Sequence, residues 1–216
     1  MVKNNGTIEK QKITYQRYGE RTPTDPSSFD GTWAPLEEHI EILSEYFKSV
    51  ACIEKNSLST IVDIGSLNGK WEDFLFRYTD KIICVDLFDD CFENIRRRYP
   101  NKNLDFYVTS GTELGGADEW SIDLIFSIDS LTRSNFFELV EYIKDFNRVL
   151  KKDGKIIINF GIDWSKRDCF RLQPYWFKSG FRLIDLRVRH PDVEFFPDTG
   201  PCTPMGWLAL FERAKQ

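Results

Sequence analysis

The sequence predicts an α/β fold with a doubly wound sheet of seven strands, mostly parallel and with one antiparallel strand near the C-terminus. Short apolar, β-branched runs alternate with amphipathic segments from residue 36 onward, which is the pattern of a parallel sheet covered by helices on both faces. The last two runs have no helix between them and are expected to pair antiparallel. The first run stops at two glycines four residues apart, Gly65 and Gly69, which predicts a tight strand-to-helix turn.

Each element is recognised by its pattern and its end signals. Pro35 opens a first helix over about 36–55 with one apolar face. The predicted strands are 59–64, 81–86, 104–109, 122–128, 155–160, 181–189 and 206–212. The later helices are expected over 69–78, 89–98, 135–150 and 168–178. Ser134 is the expected N-cap of the third of these, Asp153-Gly154 a turn before the fifth strand, and Gly180 the end of the last helix.

Length and composition place the chain among ordinary globular proteins. Its 216 residues, 41% of them hydrophobic, fit one domain over 36–216 behind a polar extension or lid over 1–35. The net charge of −5 argues against nucleic acid as the partner. Five cysteines without a C-x-x-C pair indicate neither a disulfide framework nor a metal site. The cysteine usage suits a reducing compartment, so we expect a cytoplasmic protein, and no apolar leader or membrane-length stretch is visible to suggest a membrane partner.

Polar residues and glycines follow successive predicted strands. In an open parallel sheet, ligands bind beyond the carboxyl ends of the strands, where the strand order reverses. Asp86 ends the second strand, where a carboxylate can accept hydrogen bonds from both hydroxyls of a ribose, and Leu87 beside it can flank a base. The alternative role for Asp86 is to cap the helix that starts near Asp89. The other candidates for ligand binding at these strand ends are Asp63, Gly65, Ser66, Gly69, Ser110, Gly111 and Ser127.

Taken together, these motifs resemble the class I S-adenosylmethionine-dependent methyltransferases, a family with a Rossmann-like fold. The correspondence covers roughly residues 36–212 and rests on the segments 62–69, Asp86, 122–130, 148–155 and 180–184. The resemblance implies that S-adenosylmethionine is the cofactor and that the strand-end candidates bind it. A dinucleotide-binding alternative lacks the Gly-x-Gly-x-x-Gly motif.

Two positions depart from the family pattern. Leu67 stands where the family has a middle glycine, and a leucine backbone does not freely take positive φ. Ser110 stands where the family has an acid after strand three, and a serine can make one hydrogen bond there with less charge assistance.

Candidate general bases follow the fourth and sixth strands. Methyl transfer is an in-line displacement, and a hydroxyl acceptor must lose its proton. Asp129 follows strand four, where the acceptor sits in the family; its alternative role is that of a turn or cap residue. His190, in the loop after strand six, is the second candidate, and its alternative is a solvated loop histidine.

Aromatic and acidic loop residues favour a hydroxylated acceptor, because rings stack on apolar sugar faces while carboxylates accept hydroxyl protons. The candidates for acceptor binding are Tyr18, Trp33, Asp163, Trp164 and Asp198. The sequence therefore favours O-methylation of a small molecule or glycan, with sugars as the favoured class. Two alternatives stay open: a protein or nucleic-acid acceptor, and a catalytically silent relative that acts as a binding module.

Overall fold

A computed structural model of the chain describes residues 37–67, 69–128, 130–131, 134–161, 166–188 and 206–214. Its sheet has seven strands in the order β3-β2-β1-β4-β5-β7-β6. The strands are β1 Ile61–Ile64, β2 Lys81–Asp86, β3 Asn103–Val108, β4 Ile122–Ser127, β5 Leu150–Gly161, β6 Phe181–Val188 and β7 Gly206–Arg213. Strands β1 to β5 pair in parallel, and β7 runs antiparallel to both β5 and β6. The predicted fold class is confirmed.

Helices cover both faces of this sheet. They are α1 Glu37–Ser49, α2 Glu72–Leu75, α3 Phe92–Arg98, α4 Phe136–Val149 and α5 Lys166–Lys178, and a 3₁₀ turn over Asp89–Cys91 precedes α3. One buried cluster joins the sheet to α4 and α5, and a second joins it to α1, α2 and α3. Among the described residues, no helix is long and apolar enough to cross a membrane.

The start of α4 differs from the predicted one. Asn135, not Ser134, is the N-cap, because its side chain accepts hydrogen bonds from the backbone N–H groups of Phe137 and Glu138 at 2.9 and 3.1 Å. Glu138 in turn accepts from the Asn135 N–H at 2.8 Å, which completes a capping box. This box places the first turn of α4 at the carboxyl end of β4.

Three other predicted elements were wrong in extent. The helix expected over 69–78 has only the four residues of α2, because the N–H groups of Arg77 and Tyr78 bond to carbonyls three residues back instead of four. The helix expected to reach about residue 55 ends at Ser49. The turn expected at residues 153 and 154 is absent, and β5 runs through it with a register shift against β4. Gly154 serves close packing there, since a Cβ at this position would lie 2.6 Å from Leu150 Cγ.

The proposed extension over residues 1–35 lies outside the described residues and stays a prediction.

Candidate active site

A cavity of about 590 Å³ opens at the carboxyl ends of the central strands. Strand β1 lies between β2 and β4, so the strand order reverses at this point, where open α/β sheets bind ligands. The volume is within the range of small-molecule sites. The predicted cofactor-binding residues that line it are Gly65, Asp86, Leu87, Ser110 and Gly111.

The carboxylate of Asp86 organises the turn after β1. Its Oδ2 accepts a hydrogen bond from the Leu67 N–H at 2.9 Å, and its Oδ1 accepts one from the Leu87 N–H at 2.6 Å. Leu67 adopts φ of +48°, the left-handed conformation that a leucine disfavours. A hydrogen bond to an ionised carboxylate offsets that cost. The chain therefore makes this turn with a leucine where the resembling family has glycine.

Gly65 packs against the segment that follows β4. Its φ is +79°, and a Cβ added there would lie 2.0 Å from Ser130 Oγ and 2.2 Å from Ser130 Cβ. The Gly65 N–H donates to the Val85 carbonyl at 2.7 Å, which ties the turn to β2. Ser130 also lines the cavity, although it was not among the predicted site residues.

The segment after β3 forms another wall of the cavity. Thr109 Oγ1 donates to the Glu113 carbonyl at 2.7 Å and accepts from the Gly111 N–H at 3.1 Å. The Glu113 carboxylate accepts from the Ser110 N–H at 3.0 Å. These bonds fold the segment on itself and hold Ser110 and Gly111 at the cavity.

Four predicted cofactor-binding residues do not line the cavity: Asp63, Ser66, Gly69 and Ser127. They support the turn after β1 or its strand. The Ser127 hydroxyl donates to the Ile64 carbonyl at 3.1 Å, and Arg98 Nη1 donates to the Gly69 carbonyl at 2.7 Å. Arg98 was not among the predicted site residues, because its partner lies 29 residues away in the chain.

Asp63 and Glu72 form a buried carboxyl pair behind the turn. Both are 1% exposed or less. Burial raises the pKa of Asp63 well above its ordinary value, and the neighbouring Glu72 raises it further. Burial also raises the pKa of Glu72 to about 7, while the Arg98 guanidinium opposes that rise. The Cys84 thiol donates to Glu72 Oε1 at 3.7 Å. The pair therefore retains a proton near neutral pH.

We expect Glu72→Gln to remove part of the pH dependence of stability. Glu72 keeps its proton up to a pH of about 7 in the folded chain, while the unfolded side chain loses it near 4.5. The free energy of unfolding should therefore fall as the pH rises between these values and level off above them. Glutamine carries no proton to lose, so thermal unfolding at a series of pH values should show a smaller fall.

Asp80→Asn is the control for this experiment, because Asp80 is exposed and lies outside the buried pair. It should keep the fall seen in the unchanged protein. A stability profile of the unchanged protein that is flat over this pH range would contradict the assignment.

The first turns of α4 supply lining residues that the sequence reasoning missed: Phe136, Phe137, Glu138, Glu141 and Tyr142. The capping box directly after strand four was the available signal, since it fixes the helix start beside the strand end. Tyr142 is buried, which raises the pKa of its phenol, and its side chain hydrogen-bonds Thr109. This bond joins α4 to the wall after β3.

The described lining of the cavity is acidic. It includes the carboxylates of Asp86, Glu138 and Glu141, and no Lys, Arg or His among the described lining residues. Such a lining favours a cationic ligand over an anionic one. Within the part of the chain that the structure describes, no group of three or more His, Cys, Asp or Glu side chains is arranged to hold a metal ion.

The remaining predicted site residues lie outside the described residues: Asp129, His190, Tyr18, Trp33, Asp163, Trp164 and Asp198. Their roles stay predictions.

A family profile described as methyltransferase domain matches residues 62–158, from β1 into β5. Residues 62–158 therefore form a methyltransferase domain. The chain has the class I methyltransferase fold. No curated protein matches its sequence.

Solved structures share the fold of this methyltransferase. An S-adenosylmethionine-dependent methyltransferase from Leishmania major is 16% identical with a TM-score of 0.64, over 91% of this chain and 82% of that one. One from Methanosarcina mazei is 17% identical with a TM-score of 0.58, over 77% and 97%. Phosphoethanolamine N-methyltransferase 1 from Haemonchus contortus, solved with phosphoethanolamine and S-adenosylhomocysteine, is 18% identical with a TM-score of 0.56, over 74% and 33%.

Proposed function

We propose that this methyltransferase transfers the methyl group of S-adenosylmethionine to a hydroxyl of a small molecule or glycan, with sugars as the favoured class. The observation that carries the proposal is the acidic cavity at the strand-order reversal, bordered by Gly65, Asp86 and Gly111. A sulfonium and an ammonium group are cations, and the described lining offers them carboxylates.

In this proposal, different residues of the cavity wall bind the ribose and the adenine of the donor. Asp86 accepts two backbone N–H groups, and a carboxylate at the end of the second strand can also accept hydrogen bonds from the ribose hydroxyls. Leu87 and Gly111 lie side by side, since a Cβ on Gly111 would be 3.5 Å from Leu87 Cδ2. Together they offer an apolar surface to the adenine. Gly65 lets the turn after β1 pack closely against Ser130, and both residues line the cavity.

The chemical step needs alignment and a base. The acceptor oxygen bonds to the methyl carbon as the carbon–sulfur bond breaks, the bonding electrons pass to sulfur, and the acceptor proton passes to the base. We assign that base to Asp129, because its chain neighbour Ser130 lines the cavity. His190 is the second candidate.

Rings at the cavity support a hydroxylated acceptor, because Phe136 and Phe137 offer faces on which a sugar can stack. In the proposal, loop residues Tyr18, Trp33, Asp163, Trp164 and Asp198 extend this surface, and residues 1–35 cover it. We place the reaction in the cytoplasm, because five cysteines without a C-x-x-C pair suit a reducing compartment.

Asp129→Asn tests the assignment of the base. We expect the turnover number to fall by about 10²–10⁴-fold, since the acceptor proton has no base to receive it. The dissociation constant of S-adenosylmethionine should stay unchanged. The measurements are transfer of a labelled methyl group to a panel of sugars and glycans, and calorimetry with the donor.

Asp118→Asn, at an exposed carboxylate outside the cavity lining, is the control and should behave as the unchanged protein. Normal turnover in Asp129→Asn would remove this residue as the base. Failure of both S-adenosylmethionine and S-adenosylhomocysteine to bind the unchanged protein would identify a silent binding module instead.

A further inference from the structure

Two aromatic rings at the cavity, Phe136 and Phe137, form a shelf, and Tyr175 packs against Phe136 from outside the lining. Phe136 meets Phe137 edge-on with ring centroids 5.7 Å apart, and it meets Tyr175 edge-on at 5.4 Å. Phe137 is 79% exposed, although it lines the cavity. A phenylalanine left in water forgoes about 1.5–3 kcal/mol of burial free energy. A ring kept exposed beside a cavity is therefore available to a ligand.

Two carboxylates adjoin the shelf on the same turns of α4. Glu138 has one oxygen, Oε2, that accepts the Asn135 N–H, and its side chain lines the cavity. Glu141 also lines the cavity and pairs with Lys144 at 2.6 Å, with side chains 53% and 61% exposed. An ion pair this exposed contributes little stability, so another cation can readily replace Lys144 at Glu141.

We propose that the shelf and these two carboxylates bind a protonated amine carried by the acceptor. The acceptor class is then an amino sugar or another hydroxylated, cationic small molecule. The inference rests on the proposed function and narrows its acceptor. An aromatic face attracts a cation through its quadrupole, and a carboxylate adds a charge-assisted hydrogen bond. Phosphorylated or carboxylated acceptors would meet the same carboxylates and be repelled.

A cationic acceptor must share the cavity with a cationic donor. The described lining has three carboxylates for the two positive charges, and they lie on different walls: Asp86 at the end of β2, and Glu138 and Glu141 on α4. This distribution separates a donor-binding side from an acceptor-binding side. It assigns the amine to α4.

The test compares three sugars that differ in charge: glucosamine, glucose and glucose 6-phosphate. Their binding is measured by calorimetry on the full chain saturated with S-adenosylhomocysteine, at a pH where the amine is protonated. We expect glucosamine to bind about tenfold more tightly than glucose, and glucose 6-phosphate most weakly. Glu141→Gln should abolish most of the preference for glucosamine over glucose. Phe137→Ala should weaken both sugars severalfold.

Two matched variants isolate the site. Glu93→Gln breaks the corresponding exposed pair of Glu93 with Arg97 on α3, also at 2.6 Å. Phe177→Ala removes a phenylalanine that is 75% exposed but does not line the cavity. Both should bind the three sugars as the unchanged protein does.

Equal binding of glucosamine and glucose, or binding of neither, would overturn the inference. So would an equal effect of Glu93→Gln and Glu141→Gln. Because the reaction product occupies the donor's place, the readout needs no turnover. A preference for glucosamine without methyl transfer would contradict the proposed function and leave the amine site standing.

Discussion

Gly65→Ala is expected to abolish measurable binding of S-adenosylmethionine and to lower the free energy of unfolding by roughly 2–5 kcal/mol. Backbone strain and a steric clash both destabilise the variant at this position. The backbone φ of +79° disfavours any side chain with a Cβ, and that Cβ would lie 2.0 Å from Ser130 Oγ. Either Ser130 moves into the cavity or the turn after β1 opens, and both changes deform the wall on which the donor is proposed to bind. Calorimetry with S-adenosylmethionine and thermal unfolding measure the two effects.

Gly180→Ala separates the backbone cost from the steric cost. Gly180 has nearly the same φ, +77°, but no atom lies within 4 Å of the position that its Cβ would take. This variant should lose about 1–2 kcal/mol of stability and bind S-adenosylmethionine normally. If Gly65→Ala bound the donor as tightly as Gly180→Ala, the turn after β1 would not contact the ligand.

Asp86→Ala should lower the affinity for S-adenosylmethionine by about a hundredfold or more. The substitution deprives the N–H groups of Leu67 and Leu87 of their charged acceptor, and each such hydrogen bond contributes about 1.5–3 kcal/mol. It also removes the bond that offsets the left-handed conformation of Leu67. The proposed contact with the ribose is lost at the same time. Calorimetry with the donor measures the combined effect of these losses on its affinity.

A double-mutant cycle isolates the ribose contact. S-adenosylhomocysteine is compared with its 2′-deoxy analogue on the unchanged protein and on Asp86→Ala. If the carboxylate binds the ribose, the missing hydroxyl should weaken binding to the unchanged protein much more than to the variant. Asp105→Ala, an exposed acid on β3 that pairs with Lys81, is the control and should not change donor affinity. If the missing hydroxyl lowered the affinity equally for both proteins, Asp86 would not bind the ribose and would only stabilise the turn after β1.

Local patterns predicted the strands and their ends well. The apolar β-branched runs and the two glycines after β1 are properties of short stretches of chain, and they located Gly65 and Asp86 at the cavity. End signals were less reliable. Asn135 replaced Ser134 as the N-cap because the glutamate three residues later completes a box with Asn135. Residues 153 and 154 continue strand β5, where Gly154 packs closely against Leu150.

Asp63 and Asp86 illustrate what the sequence by itself could and could not determine. Both acids were predicted at strand ends, and their strands do lie side by side in the sheet. Which of them faces the cavity was decided by the tertiary structure: Asp86 lines it, whereas Asp63 is buried against Glu72. The sequence determined the fold and the edge of the sheet that binds, because hydrophobic period and glycine placement are local. The contacts of Glu72, Ser130 and α4 with the site join segments far apart in the chain, so only packing could assign them.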